Sequence, residues 1–528
     1  MYKNLIYIFL IMAGFSGINC FAEISGQPDE QSARCKAISE MDFSKIIDAP
    51  TQIVSSSLGG AKDGSPAYCE IQGYVTPSVG FGIRVPTSNW SGKVLMLGCG
   101  GWCGTTNLIL DNGCKTALQR GYACVTTDMG HKSTLLDAKW AYNNLQGKID
   151  FAFRATHVTA LAAKAIAARY YGSAPQRSYL IGCSQGGRQA MMSAQRFPDD
   201  FDGIVAVAPP MTITSNISSH LWGALALSGK DGKSILDKNT IERVHRAVLE
   251  KCDLDDGVKD GVVSNPPGCT FQPSDMLCKN GNKKDCLSQE QVTALDKIYQ
   301  GPVNSKGELM FPGAPKGSEL YWIAYLDPKT GMPDFRWMDV YRYVAFMPDA
   351  GPNWKPTDFD FDKDYARMAM AEALLSTTNP DMSKFRNRGG KLIAVQGWAD
   401  TGVPAPNFNK YYETVERTMG PNTRDFFRLF NVPGMHHCSG GEGAYNIDYL
   451  SYLDNWVEKG LKPDSLLATR PINDDRGNAL AFVDNGAVDK KSVKFSRPIY
   501  PYPLWAKYKG TGDVNDAENF EPYDPRHQ

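Results

Sequence analysis

The chain has 528 residues, with 56 basic and 57 acidic side chains and a formal net charge of −1. So even a balance gives no electrostatic basis for a nucleic-acid partner or for an anionic membrane surface. Aromatic content of 11% and charged content of 21% exclude a disordered chain, and the length allows a large core and two domains.

Residues 1–22 differ from the rest. Lys3 and Asn4 precede the apolar stretch Leu5–Phe15, and Cys20-Phe21-Ala22 precedes Glu23. A basic start, a hydrophobic segment and an A-x-A-like site predict a signal peptide cut after Ala22. The stretch is short for a membrane span, and Gly17-Ile18-Asn19 lacks the small residue a lipoprotein places beside its cysteine. The mature chain is therefore expected to be secreted or periplasmic, with no membrane contact after cleavage. Thirteen cysteines less Cys20 leave twelve, an even number that suits an oxidising compartment. Cys252 with Cys269 and Cys278 with Cys286 are close pairs, and Cys35 with Cys69 could tie down the mature N-terminus. Cys99, Cys103, Cys114 and Cys124 form a group whose pairing the spacing leaves open, and Cys183 and Cys438 remain.

Residues 23–90 alternate polar and apolar side chains between turn residues and predict edge strands. Lys93–Leu97 predicts a strand, followed at once by the glycine-rich run Gly98–Gly104. A phosphate-binding loop would end in Lys-Ser/Thr, which this run lacks; a loop supplying oxyanion amides fits it better. Tyr122–Thr127 predicts a strand, and the alanine-rich Thr156–Tyr171 a helix. His131 and His157, in these segments, are expected to be structural.

Arg177–Gln189 reads R-S-Y-L-I-G-C-S-Q-G-G-R-Q, an apolar strand turning into a helix through G-x-S-x-G. This is the nucleophile-elbow pattern: two glycines permit a sharp turn that holds Ser184 at the sheet edge. A serine hydroxyl needs a base and an orienting carboxylate, which in this chain order follow as Asp or Glu and then His. Gly203–Val207 predicts another buried strand, so strand and helix alternate as in a mostly parallel α/β sheet.

After Pro209-Pro210 the composition changes, and residues 211–385 predict an inserted lid domain between catalytic segments 23–210 and 386–528. Its run Cys252–Val262 (C-D-L-D-D-G-V-K-D-G-V) is either a solvated acidic turn or a loop around a hard cation, without the EF-hand spacing. Tyr321, Trp322, Trp337, Tyr341, Tyr343, Phe346 and Trp354 could line a pocket for a flat ring or form the lid's own core. Lys391–Gln396 then predicts a strand ending in Gly397-Trp398-Ala399-Asp400, and Phe426–Asn431 one ending near His436-His437-Cys438. The order Ser, Asp, His is satisfied, with the choice between His436 and His437 open.

With G-C-S-Q-G-G-R at 182–188, G-W-A-D at 397–400, H-C at 437–438 and R-P-I-Y-P-Y-P-L-W-A-K-Y-K-G-T-G-D at 497–513, the chain resembles the tannase and feruloyl esterase family over nearly its whole mature length. The resemblance implies an α/β-hydrolase fold with a lid and a secreted serine esterase acting through an acyl-enzyme. Its substrate would be a small aromatic ester of a hydroxycinnamic, gallic or terephthalic-type acid, derived from plant cell wall or polyphenol. It makes Ser184 the nucleophile, His437 the base, Asp400 its orienting carboxylate and Cys183–Cys438 a disulfide. Oxyanion donors would be the backbone amides of Gln185 and of Gly100 or Gly101. The acidic loop would hold a structural Ca²⁺ through Asp253, Asp256 and Asp260 and the carbonyls of Val258 and Val262. A C-terminal disulfide common in the family is missing, with Tyr500 and Glu521-Pro522 at the matching places, and the group of four cysteines leans toward branches other than the terephthalate-type enzymes. A serine peptidase on this fold, or a non-catalytic binder of phenolics or polysaccharide, are the rival readings; no histidine pair has the spacing for a helical metal site.

Overall fold

The structure, a computed structural model, describes residues 26–60, 65–279, 285–472 and 490–524. The expected signal peptide, residues 1–22, lies outside the described residues. Nine strands form the central sheet: β1 (Thr51–Gly59), β2 (Tyr68–Val75), β3 (Val79–Pro86), β4 (Lys93–Leu97), β5 (Ala123–Thr127), β6 (Arg177–Cys183), β7 (Gly203–Val207), β8 (Lys391–Gly397) and β9 (Phe427–Val432). Their spatial order is β1-β2-β3-β5-β4-β6-β7-β8-β9. The first three are antiparallel, and β3 also meets β5 antiparallel. From β5 to β9 every pairing is parallel. The cause is visible in the side chains. G-I-V-A-V in β7 is buried throughout, and L-I-A-V-Q-G in β8 is buried after its first lysine. Runs that are apolar on both faces belong inside a parallel sheet covered by helices. Those helices include Asn107–Gln119, Ala155–Tyr171, Gln185–Arg196 and Tyr449–Lys459. The fold is that of an α/β-hydrolase.

The N-terminal expectation needs correcting. Residues 26–38, inside the segment expected to hold edge strands, form a helix. Of its described side chains, residues 30–38, only Cys35 and Ile38 are buried, so it shows almost no apolar period to signal a helix. Its anchor is covalent: Cys35 is bonded to Cys69 on β2.

The segment between β7 and β8 has two parts. Leu227 to Leu326 contribute a separate hydrophobic core that contains Cys252, Cys269, Trp322 and Tyr325. Met338 to Leu375 instead pack into the main core. The aromatic residues divide accordingly. Tyr341 sits against Trp354 and Phe359 at ring-centroid distances of 4.8 and 4.9 Å, while Trp322 lies against Tyr299 and Tyr325. Most of these rings are core. Tyr321 is different, and lies beside the histidine pair.

Six disulfides are present among the described residues: Cys35–Cys69, Cys99–Cys103, Cys114–Cys124, Cys183–Cys438, Cys252–Cys269 and Cys278–Cys286. The group of four that sequence spacing left open thus pairs locally. No described helix is long and apolar enough to cross a membrane. At the C-terminal end, Leu466–Pro471 pairs with Val493–Ile499 and Trp505–Tyr508 with Phe520–Tyr523. Tyr500 and the region of Glu521, where the resemblance finds no disulfide, still touch: the Tyr500 hydroxyl donates to the Phe520 carbonyl at 3.4 Å.

Candidate active site

Ser184 follows the last residue of β6 and precedes the helix Gln185–Arg196. Its backbone lies at φ 58°, ψ −122°, a region where L-residues are strained and which the surrounding contacts must enforce. The Ser184 amide donates to the Val207 carbonyl on β7 at 2.9 Å, and its own carbonyl accepts from the Arg188 amide at 2.9 Å. Glycine is required on both sides. A Cβ on Gly182 would stand 2.2 Å from the Gly186 carbonyl carbon, and one on Gly186 would stand 2.9 Å from the Gly98 carbonyl. The elbow is therefore packed backbone to backbone on the glycine-rich loop after β4.

Arg188 holds the elbow helix from beneath. It is fully buried and donates to the carbonyls of Phe151 at 2.7 Å, Ala152 at 2.8 Å and Leu375 at 3.1 Å, and to Gln185 Oε1 at 2.6 Å. Phe151 and Ala152 lie in a π-helical turn, Asp150–Arg154, whose wider ladder turns carbonyls away from their usual partners. Burial alone pulls the guanidinium pKa down to about 9.

Asp400 and His437 follow β8 and β9. Asp400 is completely buried; its Oδ1 accepts the amides of Gly402 and Val403 at 2.8 and 3.0 Å. Its Oδ2 lies 2.7 Å from His437 Nδ1, which makes Nδ1 the protonated nitrogen of the neutral ring and leaves Nε2 open to accept a proton. The His437 side chain keeps 15% of its surface exposed, against none for Asp400, so the imidazole is the member that solvent can reach. Burial lowers the His437 pKa, but the Asp400 charge and hydrogen bond outweigh it and the net shift is upward.

His436 does different work. Its Nε2 meets Glu442 at 3.1 Å and its ring stacks on Tyr321 at 4.1 Å. The adjacent histidines are thus separated by their partners: Asp400 selects His437. The disulfide Cys183–Cys438 then joins the residue before Ser184 to the residue after His437, with 5.9 Å between their α-carbons. Both sulfurs and a His437 ring nitrogen lie within 4.8 Å of one another; with the sulfurs bonded, this group is no metal site.

The loop Gly98–Gly104 is closed by Cys99–Cys103. Inside it, the Trp102 amide donates to Leu135 O at 2.9 Å and the Cys103 amide to Gly100 O at 3.0 Å. Among the described residues the amides of Gly100 and Gly101 have no acceptor, which leaves them available to a developing oxyanion. His131, expected to be structural, holds this loop: its Nε2 is 2.6 Å from Trp102 O, and burial drives its pKa down to about 4. His157 is likewise placed structurally, 2.8 Å from Asp200 and stacked on Phe197.

The acidic loop lies in the inserted segment. Asp253 Oδ1 accepts the Asp260 amide at 3.1 Å, and both its oxygens face the Gly261 amide. Asp256 accepts the Val258 amide at 2.9 Å and the Ser264 hydroxyl at 2.6 Å. Asp260 Oδ2 accepts Arg497 at 2.7 Å, while its Oδ1 is buried without a partner. Burial pushes the Asp256 carboxyl up to about 6 and raises Asp260 too, and the neighbouring aspartates add to both shifts. Asp256, Asp260, Val262 and Ser264 line a narrow cleft together with Asn431, Arg497 and Trp505. The carboxylates do not converge within 4.8 Å of one another, but all-oxygen donors, mutual repulsion and an orphaned buried oxygen fit a hard cation.

Comparison with known proteins shows the family. The family model described as "Tannase and feruloyl esterase" matches residues 66–522. The chain belongs to the tannase and feruloyl esterase family. It is 31% identical over 524 residues to an uncharacterized esterase of Xanthomonas campestris, covering 90% of this chain and 88% of that one. It is also 31% identical over 525 residues to the mono(2-hydroxyethyl) terephthalate hydrolase of Piscinibacter sakaiensis, covering 86% and 84%. The crystal structure of feruloyl esterase B from Aspergillus oryzae superposes with a TM-score of 0.80 at 26% identity, covering 93% of this chain and all of that one. The chain is a carboxylic ester hydrolase of this family.

Sequence reasoning missed the residues that hold the acid and base loops. Asn216 and His220 on the helix Ile213–Leu227 reach the Gly402 carbonyl, and Thr401 donates to the Tyr321 carbonyl at 2.6 Å. The sequence does not single them out: Asn216 and His220 sit among Thr214, Ser215, Ser218 and Ser219 in the polar first half of that helix.

Proposed function

We propose that the protein is an exported serine esterase that cleaves carboxylic esters of aromatic acids, with Ser184, His437 and Asp400 as its triad. The observation that carries this is the 2.7 Å contact between His437 Nδ1 and Asp400 Oδ2, on a loop bonded through Cys183–Cys438 to the elbow that bears Ser184. Ser184 Oγ adds to the ester carbonyl as its proton passes to His437 Nε2. The amides of Gln185 and of Gly100 or Gly101 receive the oxyanion. The tetrahedral intermediate collapses as His437 returns the proton to the departing alcohol, leaving an aromatic acyl group on Ser184. Water, deprotonated by His437, then releases the acid and restores the serine. Six disulfides, with a signal-like segment at 1–22, support a secreted or periplasmic location.

The test is hydrolysis of methyl ferulate, methyl gallate, mono(2-hydroxyethyl) terephthalate and a p-nitrophenyl ester, with Ser184→Ala as control. Cleavage of an aromatic ester by the wild type and not by the variant is the expected result. Inactivity of oxidised, calcium-loaded protein on all four would overturn the assignment.

The acidic loop completes the reading. Asp253, Asp256 and Asp260 with the carbonyls of Val258 and Val262 would hold Ca²⁺, which supplies charge compensation rather than chemistry. Because Arg497 ties Asp260 to the C-terminal strand Val493–Ile499, the ion would brace the lid against that strand. Chelation is expected to lower the melting temperature, and calcium to restore it where magnesium does not. Saturation a hundredfold above Kd corresponds to about 2.7 kcal/mol. An unchanged melting curve in EGTA, with no calcium in the purified protein, would dismiss the ion.

A further inference from the structure

We infer that Asn216 and His220, on the first helix of the inserted segment, are positioning residues for the triad carboxylate and act through the Gly402–Val403 peptide. This deepens the proposed triad and rests on it. Asn216 Nδ2 donates to the Gly402 carbonyl at 2.8 Å, and His220 Nε2 lies 2.7 Å from the same oxygen. They are one helical turn apart and both buried, so a single carbonyl receives two donors from one helix face. At the other end of that peptide, the Val403 N–H donates to Asp400 Oδ1 at 3.0 Å; the Gly402 N–H, in the peptide before it, donates to the same atom at 2.8 Å. Asp400 Oδ2 is then free for His437 Nδ1.

The chemistry follows from the peptide group. Hydrogen bonds to a carbonyl polarise its amide and strengthen what the N–H on the other end gives. Two donors on the Gly402 oxygen therefore sharpen and orient the Val403 N–H toward Asp400, and fix the turn that aims the carboxylate. The contact makes His220 a donor at Nε2, and its Nδ1 is buried without a partner; burial lowers its pKa, in keeping with a neutral ring. The side chains touch neither serine nor the base. They hold what orients the base, so the inserted segment contributes to turnover.

The test compares His220→Phe, His220→Gln and Asn216→Leu with wild type on an aromatic ester that the wild type cleaves. His220→Phe and Asn216→Leu are expected to lower kcat by about tenfold or more with KM within twofold, since a misaimed catalytic group costs rate rather than binding. His220→Gln keeps a donor and is expected to recover most of the rate. The second readout is direct: the far-downfield proton resonance of the His437 Nδ1–H bonded to Asp400 should weaken or move in the two donor-less variants and persist in His220→Gln. Folded variants with full kcat and an unmoved resonance overturn the inference, as does a KM rise that accounts for the whole loss. If His220→Phe does not fold, Asn216→Leu and His220→Gln decide. A Ser184→Ala variant within tenfold of the wild-type rate would instead indict the triad itself, so the two failures are distinguishable.

Discussion

Replacing Ser184 by alanine is expected to lower kcat by roughly 10⁵–10⁶-fold while leaving the fold intact. The side chain that is lost is one hydroxyl on a half-buried residue, and no hydrogen bond of the elbow depends on it. Ser184 is held by its backbone, through the Val207 carbonyl and the Arg188 amide. Alanine at φ 58° meets the same strain as serine, so the melting temperature should move little. What disappears is the acyl-enzyme. The variant should give no covalent adduct with a serine-directed phosphonate, whereas wild type should gain one phosphonyl group by intact mass. Some hydrolysis above the uncatalysed rate is expected to remain, because the proposed oxyanion donors, the amides of Gln185 and of Gly100 or Gly101, are backbone groups that the substitution leaves in place. An adduct on the variant, or a loss below tenfold, would place the nucleophile elsewhere.

The elbow was legible because its constraints are local. Tyr179-Leu180-Ile181 must be buried on both sides, and Gly182 and Gly186 must be glycine because a Cβ at either would strike backbone. The strands β4, β7, β8 and β9 were legible for the same reason: short apolar runs bounded by turn residues have one use in an alternating α/β chain. The helix Gly26–Ile38 was not, since a disulfide rather than an apolar stripe holds it down. The aromatics of the segment between β7 and β8 were only half legible. A list of rings cannot tell which pack together, and Tyr321 is singled out only by its stacking on His436.

The site divided in the same way. Residue order pointed to Ser184 and Asp400, but spacing could not choose between His436 and His437, which share every local signal. Asp400 makes that choice in space, with Glu442 and Tyr321 engaging the other ring. The same limit hid Asn216 and His220: their partner is the carbonyl of Gly402, more than 180 residues away, and a backbone carbonyl carries no sequence signature.

Asp400→Asn is expected to cost roughly 10⁴-fold in kcat and to move the acid limb of the pH profile downward. The rate loss comes from the tautomer. An asparagine that keeps the amides of Gly402 and Val403 on its oxygen turns an NH₂ toward His437 Nδ1, which must then accept, leaving the proton on Nε2 where the base should be empty. The pH shift comes from the charge. His437 works as a base only when neutral, so activity falls as pH drops through its pKa. In wild type the Asp400 charge and hydrogen bond lift that pKa above its ordinary 6.5 in spite of burial, and the midpoint of the limb in kcat/KM should lie above that value. Without the carboxylate only burial remains, which disfavours the imidazolium, and the midpoint should fall. Measuring kcat/KM from pH 5 to 9 for both proteins decides the matter. A variant with the wild-type limb would mean that Asp400 does not govern His437. A variant limb moved upward would mean that another carboxylate has taken its place, and Glu442, which pairs with the neighbouring His436 at 3.1 Å, is the group to replace next.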